Sequence, residues 1–228
     1  MKHHLHREID KLKTMLLSLG TDVEDSVYKS VQALDKRDRA VADQVISGDT
    51  AIDKFEVYLE EECLKILALY QPVAIDLRFV IAVLKINNDL ERIGDLAVNI
   101  AERAMYLTRE EPIDVPFDFV GMAEKVRAML KKSLDAMVNQ DPRQARDVCA
   151  ADDEIDIIHK NMYPRIEEAI RKNPKHMSGL LQYLGVSRYL ERIADHATNI
   201  AEDVIYMADG DIVRHRAKFM EERSSRPV

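Results

Sequence analysis

The chain has 228 residues, of which 46% are hydrophobic and 32% charged, and it contains only 7 Gly, 7 Pro and no Trp. So few turn-forming residues argue against a fold of many short strands, and the abundant Ala, Leu, Ile, Glu, Lys and Arg are typical of long helices. With 33 Lys and Arg against 41 Asp and Glu, the net charge of −8 also argues against a nucleic-acid-binding surface, so we predict an all-α protein that binds no nucleic acid.

The cysteines and the N-terminus indicate the compartment in which the protein works. Cys63 and Cys149 lie far apart and show no CxxC spacing, so the sequence predicts neither a disulfide framework nor a zinc ribbon. No uncharged apolar run approaches the roughly 20 residues that span a bilayer, and the segment Met1–Glu8 lacks the apolar core of a signal peptide. We therefore expect a soluble, uncleaved protein of the reducing cytoplasm.

The first half of the chain shows helical periodicity throughout. From Leu5 to Val31 apolar residues recur every three or four positions, which predicts one long amphipathic helix that ends near Asp35. A second helix is predicted from about Arg39 to Leu69. A third is predicted from about Val73 to Leu107, with Pro72 placed at its first turn.

The second half repeats this plan. A segment with two prolines, Thr108–Pro116, breaks the helical periodicity and separates the halves. Beyond it, helices are predicted at about Asp118 to Asn139, Pro142 to Lys172 and Lys175 to Ala208. Because proline lacks the backbone N–H that a helix interior needs, Pro164 should kink the fifth helix or split it.

The chain also repeats itself in sequence at a long interval. The stretch Leu90–Glu102 returns as Leu190–Glu202, 100 residues later, and Asp49–Asp53 corresponds to Asp152–Asp156. Such self-similarity indicates a tandem duplication. Six helices of up to about 30 residues joined by short links therefore predict two tandem three-helix bundles, each antiparallel. The predicted divisions are a first bundle at 1–110, a second at 117–210 and a frayed C-terminal tail at 211–228.

Acidic residues at helical spacing are the main candidate functional feature. At 100° per residue, each set falls on one narrow stripe of its helix, away from the apolar core. The stripe on the third helix is Glu91, Asp95, Asn99 and Glu102, and that on the second is Asp49, Asp53, Glu56 and Glu60. The counterparts in the second half are Asp152, Asp156, Glu191, Asp195 and Asn199.

These stripes have two interpretations. An acidic stripe opposite an apolar one is what any soluble amphipathic helix shows, and Arg92 and Arg192 can neutralise the acids as surface ion pairs. Like charges four residues apart repel each other, however, and a bound divalent or trivalent cation removes that repulsion. Oxygen ligands suit hard cations such as Mg, Mn, Ca or oxidised Fe. Because the pattern recurs in both halves, we favour metal sites.

The histidines carry less information than the acids. His196 follows Asp195 and replaces Leu96 of the first copy. It could support or join a metal site, but we expect a solvated or half-buried side chain. His159 stands three residues after Asp156 and has no matching histidine in the first half.

The sequence lacks the usual enzyme motifs. It contains no GxGxxG, GxxxxGK[ST], HExxH or GxSxG, and it supplies no pair of ExxH units for a ferritin-like di-iron site. We therefore predict that the protein is not an enzyme. A carboxylate-bridged metalloenzyme and a metal-free helical adaptor with solvated acids stand as the alternatives.

Four stretches resemble one known family. Together they resemble the PhoU family of phosphate-signalling regulators, over essentially the whole chain. The stretches are Gln71–Arg78, Leu90–Asp95, Leu190–His196 and Val213–His215. In the second copy, Asn173–Ser178 departs from the first copy's Gln71–Asp76, which puts any contact of that loop in doubt there.

The resemblance implies a fold and a set of metal sites. Members of the family have two three-helix bundles related by a pseudo-twofold axis and carry metal clusters on E(D)xxxD motifs. Carried over to this chain, the first cluster is Asp49, Asp53, Glu91 and Asp95, and the second is Asp152, Asp156, Glu191 and Asp195. Asn99 and Asn199 would be auxiliary ligands, and the metal ion could be iron, manganese, magnesium, calcium, zinc or nickel.

The resemblance also implies a function and partners. It implies a cytoplasmic negative regulator of phosphate uptake and of the phosphate-starvation response. The expected partners are a membrane-bound sensor histidine kinase, the ATP-binding subunit of the phosphate ABC transporter and a second copy of the chain. Contact with the membrane is expected only through these partners.

Overall fold

The computed structural model describes residues 2–115 and 117–209, and its described residues form six long helices and no strand. The predicted tail at 211–228 lies outside the described residues. The helices are α1 (Lys2–Lys36), α2 (Arg39–Tyr70), α3 (Ala74–Leu107), α4 (Phe119–Asn139), α5 (Pro142–Lys172) and α6 (Met177–Asp209), with a short 3-10 turn at Pro174–His176 before α6.

The helix boundaries follow from capping residues that recur in the two halves. Asp38 accepts hydrogen bonds from the backbone N–H groups of Ala40 and Val41, at 2.9 and 3.2 Å, and so begins α2. Asp141, at the equivalent place in the second half, begins α5 in the same way, and Asp118 begins α4. Aspartate side chains thus satisfy N–H groups that a helix start leaves without partners.

The start of α3 differs in one detail from its prediction. Gln71 ends α2 in a left-handed conformation with φ 47°, and Val73 is extended as the N-cap of α3. Pro72 therefore precedes the cap and does not lie in the first turn of the helix. The chain reverses direction between two long helices here. Pro72 and Val73, which the sequence analysis assigned to the start of α3, form this tight reversal instead.

The six helices pack as two bundles that share one core. Helix α2 packs against α1 and α3, and α5 packs against α4 and α6, while α1 meets α4 and α3 meets α6 across the middle. The apolar stripes of the repeated motif, including Leu90, Ile93, Leu190 and Ile193, are completely buried in one continuous core. The predicted all-α fold of two three-helix bundles is confirmed.

None of the helices in the described part of the chain combines the length and the apolarity needed to cross a membrane. Their apolar side chains lie on stripes, because each helix also carries charged residues along its exposed face. The burial of these stripes in the shared core accounts for the helix-helix packing.

Of the two outcomes predicted for Pro164, a kink or a split, the split of the fifth helix does not occur. Helix α5 runs without interruption from Pro142 to Lys172. A proline in a helix interior leaves the carbonyl of the residue four positions earlier, here Lys160, without its N–H partner. Because Pro164 and Lys160 are both exposed, water can hydrogen-bond that carbonyl, which explains why the helix continues.

We expect Pro164→Ala to stabilise the protein by about 2 kcal/mol, because alanine restores the missing helix hydrogen bond and only part of this gain is offset in the unfolded chain. Urea unfolding followed by circular dichroism measures the change. Lys160→Ala, one turn away and also exposed, is the matched control and should change stability by less than about 0.5 kcal/mol. A Pro164→Ala protein no more stable than this control would contradict the expectation.

Candidate functional site

The first set of predicted ligands lies where α2 packs against α3. Asp49 and Asp53 come from α2, and Glu91 and Asp95 come from α3. The helices run in opposite directions, so Asp49 interacts with Asp95, and Asp53 interacts with Glu91. Gly94 faces α2 here, and a Cβ atom at this position would make an ordinary contact with Ile52 Cγ2, 3.4 Å away. The second half tolerates such a Cβ atom, since it has Ala194 at the equivalent position.

The protein surroundings oppose ionisation of these carboxyl groups. Burial raises the pKa of Asp49 above its ordinary value, and the charges of Asp53 and Asp95 raise it further. Burial also raises the pKa of Glu91, with Asp95 as the next largest cause. Asp49 Oδ1 and Glu91 Oε2 are buried and accept no hydrogen bond. Both atoms are therefore acceptors for which the described protein provides no donor.

Arg92 partly compensates the first set of carboxylates. Its Nε atom lies 3.3 Å from Glu91 Oε2 and its Nη1 atom lies 3.5 Å from Asp95 Oδ2. These are ion-pair distances without hydrogen-bond geometry to Glu91 Oε2. Because the arginine side chain is about half exposed, solvent screens the attraction, and the pairs contribute no more than about 1 kcal/mol.

The second set has the same arrangement between α5 and α6. Asp152 interacts with Asp195, and Asp156 interacts with Glu191, at the positions equivalent to those in the first half. Burial, followed by the charges of Asp195 and Asp156, raises the pKa of Asp152 to about 6. Burial and Asp195 likewise raise the pKa of Glu191. Asp152 Oδ1 is buried without a hydrogen-bond partner, as is its counterpart Asp49 Oδ1.

The predicted auxiliary ligands differ between the two halves. Asn99 donates from Nδ2 to the backbone carbonyl of Asp95, at 2.9 Å, within its own helix. Asn199 donates instead to Asp89 Oδ1 on α3, at 3.4 Å. In each case the amide nitrogen is engaged, so the side-chain oxygen is the atom left for a cation.

The donor sets suit a hard cation. Every predicted ligand offers oxygen, and three buried carboxylate oxygens, on Asp49, Glu91 and Asp152, accept no hydrogen bond. Across residues 2–115 and 117–209, however, no group of three or more His, Cys, Asp or Glu side chains is arranged to hold a metal ion. Binding would therefore require these side chains to turn toward the ion, and the two metal sites stay a prediction.

A polar pair that the sequence analysis did not identify borders each set. Asn87 donates to Glu56 Oε1, at 3.1 Å, and at the equivalent positions His159 Nδ1 lies 2.9 Å from Ser187 Oγ. Burial, followed by Arg188, lowers the pKa of His159. A signal was present in the sequence, because Asn87 lies four residues before Glu91 and continues its stripe.

His196 is half-buried, as expected. Its Nδ1 atom lies 2.8 Å from Asp89 Oδ1, so this histidine joins α6 to α3 across the middle of the molecule. No local pattern in the sequence signals this contact, since 107 residues separate the two side chains.

This architecture defines a class, that of duplicated all-helical proteins with a cluster of acids between two neighbouring helices in each half. Residues 16–104 and 119–204 match the family model of the PhoU domain. A PhoU homolog of Aquifex aeolicus, described as a phosphate-specific transport system accessory protein, is 36% identical over 212 residues, which cover 93% of this chain and 96% of that protein. The chain belongs to the PhoU family.

Solved structures agree with this assignment. The crystal structure of PhoU from Pseudomonas aeruginosa has a TM-score of 0.85 and 36% identity, and the match covers 90% of this chain and 99% of that one. The PhoU structure from Streptococcus pneumoniae also has a TM-score of 0.85, at 29% identity, with 92% and 99% covered. Both matched family stretches lie inside the halves predicted at 1–110 and 117–210, whose exact limits stay a prediction.

We expect Asp152→Asn to stabilise the metal-free protein by about 1 kcal/mol at pH 7.5, because it removes a half-buried charge beside other carboxylates. The folded pKa of about 6 lies above the ordinary 3.8, so the folded state binds this proton more tightly than the unfolded state. The ionised Asp152 carboxylate therefore destabilises the wild-type protein fully above pH 6, and this effect fades as the pH falls toward 4.

Urea unfolding in the presence of a chelator, at several pH values between 4 and 7.5, measures this difference. Asp153→Asn changes the exposed neighbouring residue and is the matched control. A stability difference for Asp152→Asn that stays constant over this pH range would contradict the assignment.

Proposed function

We propose that this protein is an accessory regulator of phosphate uptake that restrains transport and the phosphate-starvation response when phosphate is plentiful. Membership of the PhoU family supports the proposal, as do relatives described as accessory proteins of a phosphate-specific transport system. The protein would act in the cytoplasm as a homodimer. It would reach the membrane only through its partners, and the proposal assigns it no catalytic step.

The observation that carries the proposal is the pair of equivalent acidic clusters. In each half, burial and then the charges of neighbouring carboxylates raise the pKa of one acid on each helix, namely Asp49 and Glu91 in the first half and Asp152 and Glu191 in the second. Three buried oxygens, on Asp49, Glu91 and Asp152, have no hydrogen-bond partner. A soluble protein gains no stability from such an arrangement unless something compensates the charge. A bound metal ion would supply positive charge and bridge the two helices of each pair.

We propose that each cluster holds its metal ion through residues of both helices. The first site would use Asp49, Asp53, Glu91, Asp95 and Asn99. The second site would use Asp152, Asp156, Glu191, Asp195 and Asn199. Oxygen donors accept iron, manganese, magnesium or calcium most readily, and zinc and nickel are borderline ions for such a site.

A regulator of this kind acts by binding one state of a partner better than another. We propose that the partners are a sensor histidine kinase and the ATP-binding subunit of the phosphate ABC transporter. An exposed residue of each acidic cluster lies at the protein surface, Asp53 in the first half and Asp156 in the second. A metal-loaded cluster would therefore present a charge-compensated surface. Without metal the same surface is strongly negative, and its docking would differ.

One observation favours a second candidate, a metal-free helical adaptor. Arg92 already lies at ion-pair distance from Glu91 and Asp95 and supplies positive charge to the first cluster. In the second half, Arg188 and Arg192 act on Glu191 in the same sense. Metal analysis separates the two candidates, because the adaptor needs no ion.

We expect the wild-type protein to retain stoichiometric metal ions through purification, even when no metal is added to the buffers. The double variant Glu91→Ala, Glu191→Ala should lose most of this metal, because each substitution deletes a ligand of one cluster. Elemental analysis by mass spectrometry measures this. Glu102→Ala, on the same face of α3 but exposed, is the matched control and should keep its metal. Absence of metal from the wild-type protein, including after incubation with Fe²⁺ or Mn²⁺, would favour the adaptor.

We further expect the Glu91→Ala, Glu191→Ala protein to bind the cytoplasmic part of the kinase at least tenfold more weakly than the wild-type protein does. The reason is that a cluster without its metal ion loses its charge compensation. Calorimetry measures the affinity, and expression of a phosphate-starvation reporter in cells measures repression. Circular dichroism must show a normally folded variant. Unchanged affinity and unchanged repression would contradict a role for the clusters in docking.

A further inference from the structure

Asp89 is a buried acid that the proposed function does not yet use. Asp89 is only 8% exposed and lies on α3 among the side chains that face α6. One turn earlier on the same face, Lys85 forms an ion pair with Asp203 of α6, with 3.1 Å between Nζ and Oδ1. Asp89 therefore belongs to the contact between the two halves, which we call the central seam, formed by α3 and α6.

The partners of Asp89 both lie on α6. A carboxylate oxygen accepts hydrogen bonds only, so His196 Nδ1, 2.8 Å away, carries the proton that Asp89 Oδ1 accepts. Asn199 Nδ2 donates to the same oxygen at 3.4 Å. One carboxylate of the first half thus fixes the orientation of two side chains of the second half.

These two side chains belong to the segment of α6 that carries Asp195 of the second acidic cluster, and Asn199 is itself a proposed ligand there. His196 follows Asp195 directly, and Asn199 lies one turn further along α6. Because Asn199 Nδ2 donates to Asp89 Oδ1, the amide oxygen of Asn199 points away from Asp89. A partner of this kind restricts the rotamers of one ligand, so fewer side chains have to be ordered when the site assembles around an ion.

Within residues 2–115 and 117–209, the positions of the first half that correspond to His196 and Asn199 make no hydrogen bond across the central seam. Position 96 is a buried leucine where the second half has His196, and Asn99 bonds within its own helix. The counterpart of Asp89 is Tyr189, whose hydroxyl accepts a hydrogen bond from Arg103 Nη2 at 3.2 Å. The two equivalent clusters are therefore supported differently.

We propose that Asp89 is a positioning residue for the second metal site, and that the metal affinity of this site depends on the packing of α3 against α6. The first site is assembled within its own half and lacks this dependence. This inference rests on the proposed function, since it concerns the metal sites assigned there. It makes the second site the one that responds to changes at the central seam.

The test measures Mn²⁺ binding by each site separately, with the electron paramagnetic resonance signal of free Mn²⁺ as the readout. Glu91→Ala disables the first site and so reports on the second, while Glu191→Ala reports on the first. Adding Asp89→Ala should weaken the second site by about 10- to 100-fold and leave the first unchanged. Tyr189→Phe, at the equivalent position, is the matched control and should change neither.

A conservative variant separates positioning from simple loss of charge. Asp89→Asn keeps an oxygen that can accept the proton of His196 Nδ1, so it should bind Mn²⁺ at the second site within about threefold of the protein with Asp89. If Asp89→Asn weakens the second site as much as Asp89→Ala does, the effect is electrostatic and the positioning role is overturned.

Nitrogen-15 resonances of the histidines give a readout that needs no metal. The signal of His196, assigned by its absence in His196→Leu, should show a protonated Nδ1 in the wild-type protein and lose this preference in Asp89→Ala. The same tautomer mixture in both proteins would overturn the hydrogen bond on which the inference rests, even if Asp89→Ala proved too unstable for titration.

The outcomes also distinguish this inference from the proposed function. If neither single-site protein binds Mn²⁺ before any change at Asp89, the metal sites themselves are wrong and the inference falls with them. If both bind Mn²⁺ and Asp89→Ala leaves the second site at full affinity, only the positioning role of Asp89 is wrong.

Discussion

Repulsion between carboxylates that are held together by helix packing is the constraint on which the rest of this structure depends. The apolar stripes of α3 and α6 are buried on one side, and this burial fixes the rotation of both helices. Their acidic stripes then meet the acidic stripes of α2 and α5. Helix packing contributes far more free energy than the repulsion costs, so the carboxylates stay together. Burial, followed by this repulsion, raises the pKa of Asp49, Glu91, Asp152 and Glu191.

The acidic stripes are not simply solvated faces, although they do point away from the apolar core. Glu91, Asp95 and Glu191 are each partly or mostly covered by neighbouring helices. The reason is that α3 and α6 each pack against three other helices, which cover part of the face opposite the core, while Glu102 and Asp195 on that face stay exposed. Half-buried carboxylates are better suited to ion binding than exposed ones, because water competes less for the ion.

Duplication produced two equivalent clusters, yet the seam between the halves is not symmetric. A carboxylate and a histidine meet at one place, Asp89 with His196, whereas the corresponding place has Tyr189 and Leu96. A different hydrogen-bonded pair also borders each cluster, Asn87 with Glu56 in the first half and Ser187 with His159 in the second. The two halves can therefore share one fold while differing in the chemistry that surrounds each cluster.

The sequence by itself determined the six helices, the duplication and the stripes, because helix periodicity, Asp caps and breaks are local properties of the chain. It placed most helix ends within two residues. The sequence did not determine whether α5 continues through Pro164, since that depends on whether water reaches the carbonyl of Lys160. Only the tertiary structure brought Asp89 beside His196. Contacts between residues tens of positions apart depend on how whole helices pack, and no local pattern encodes that geometry.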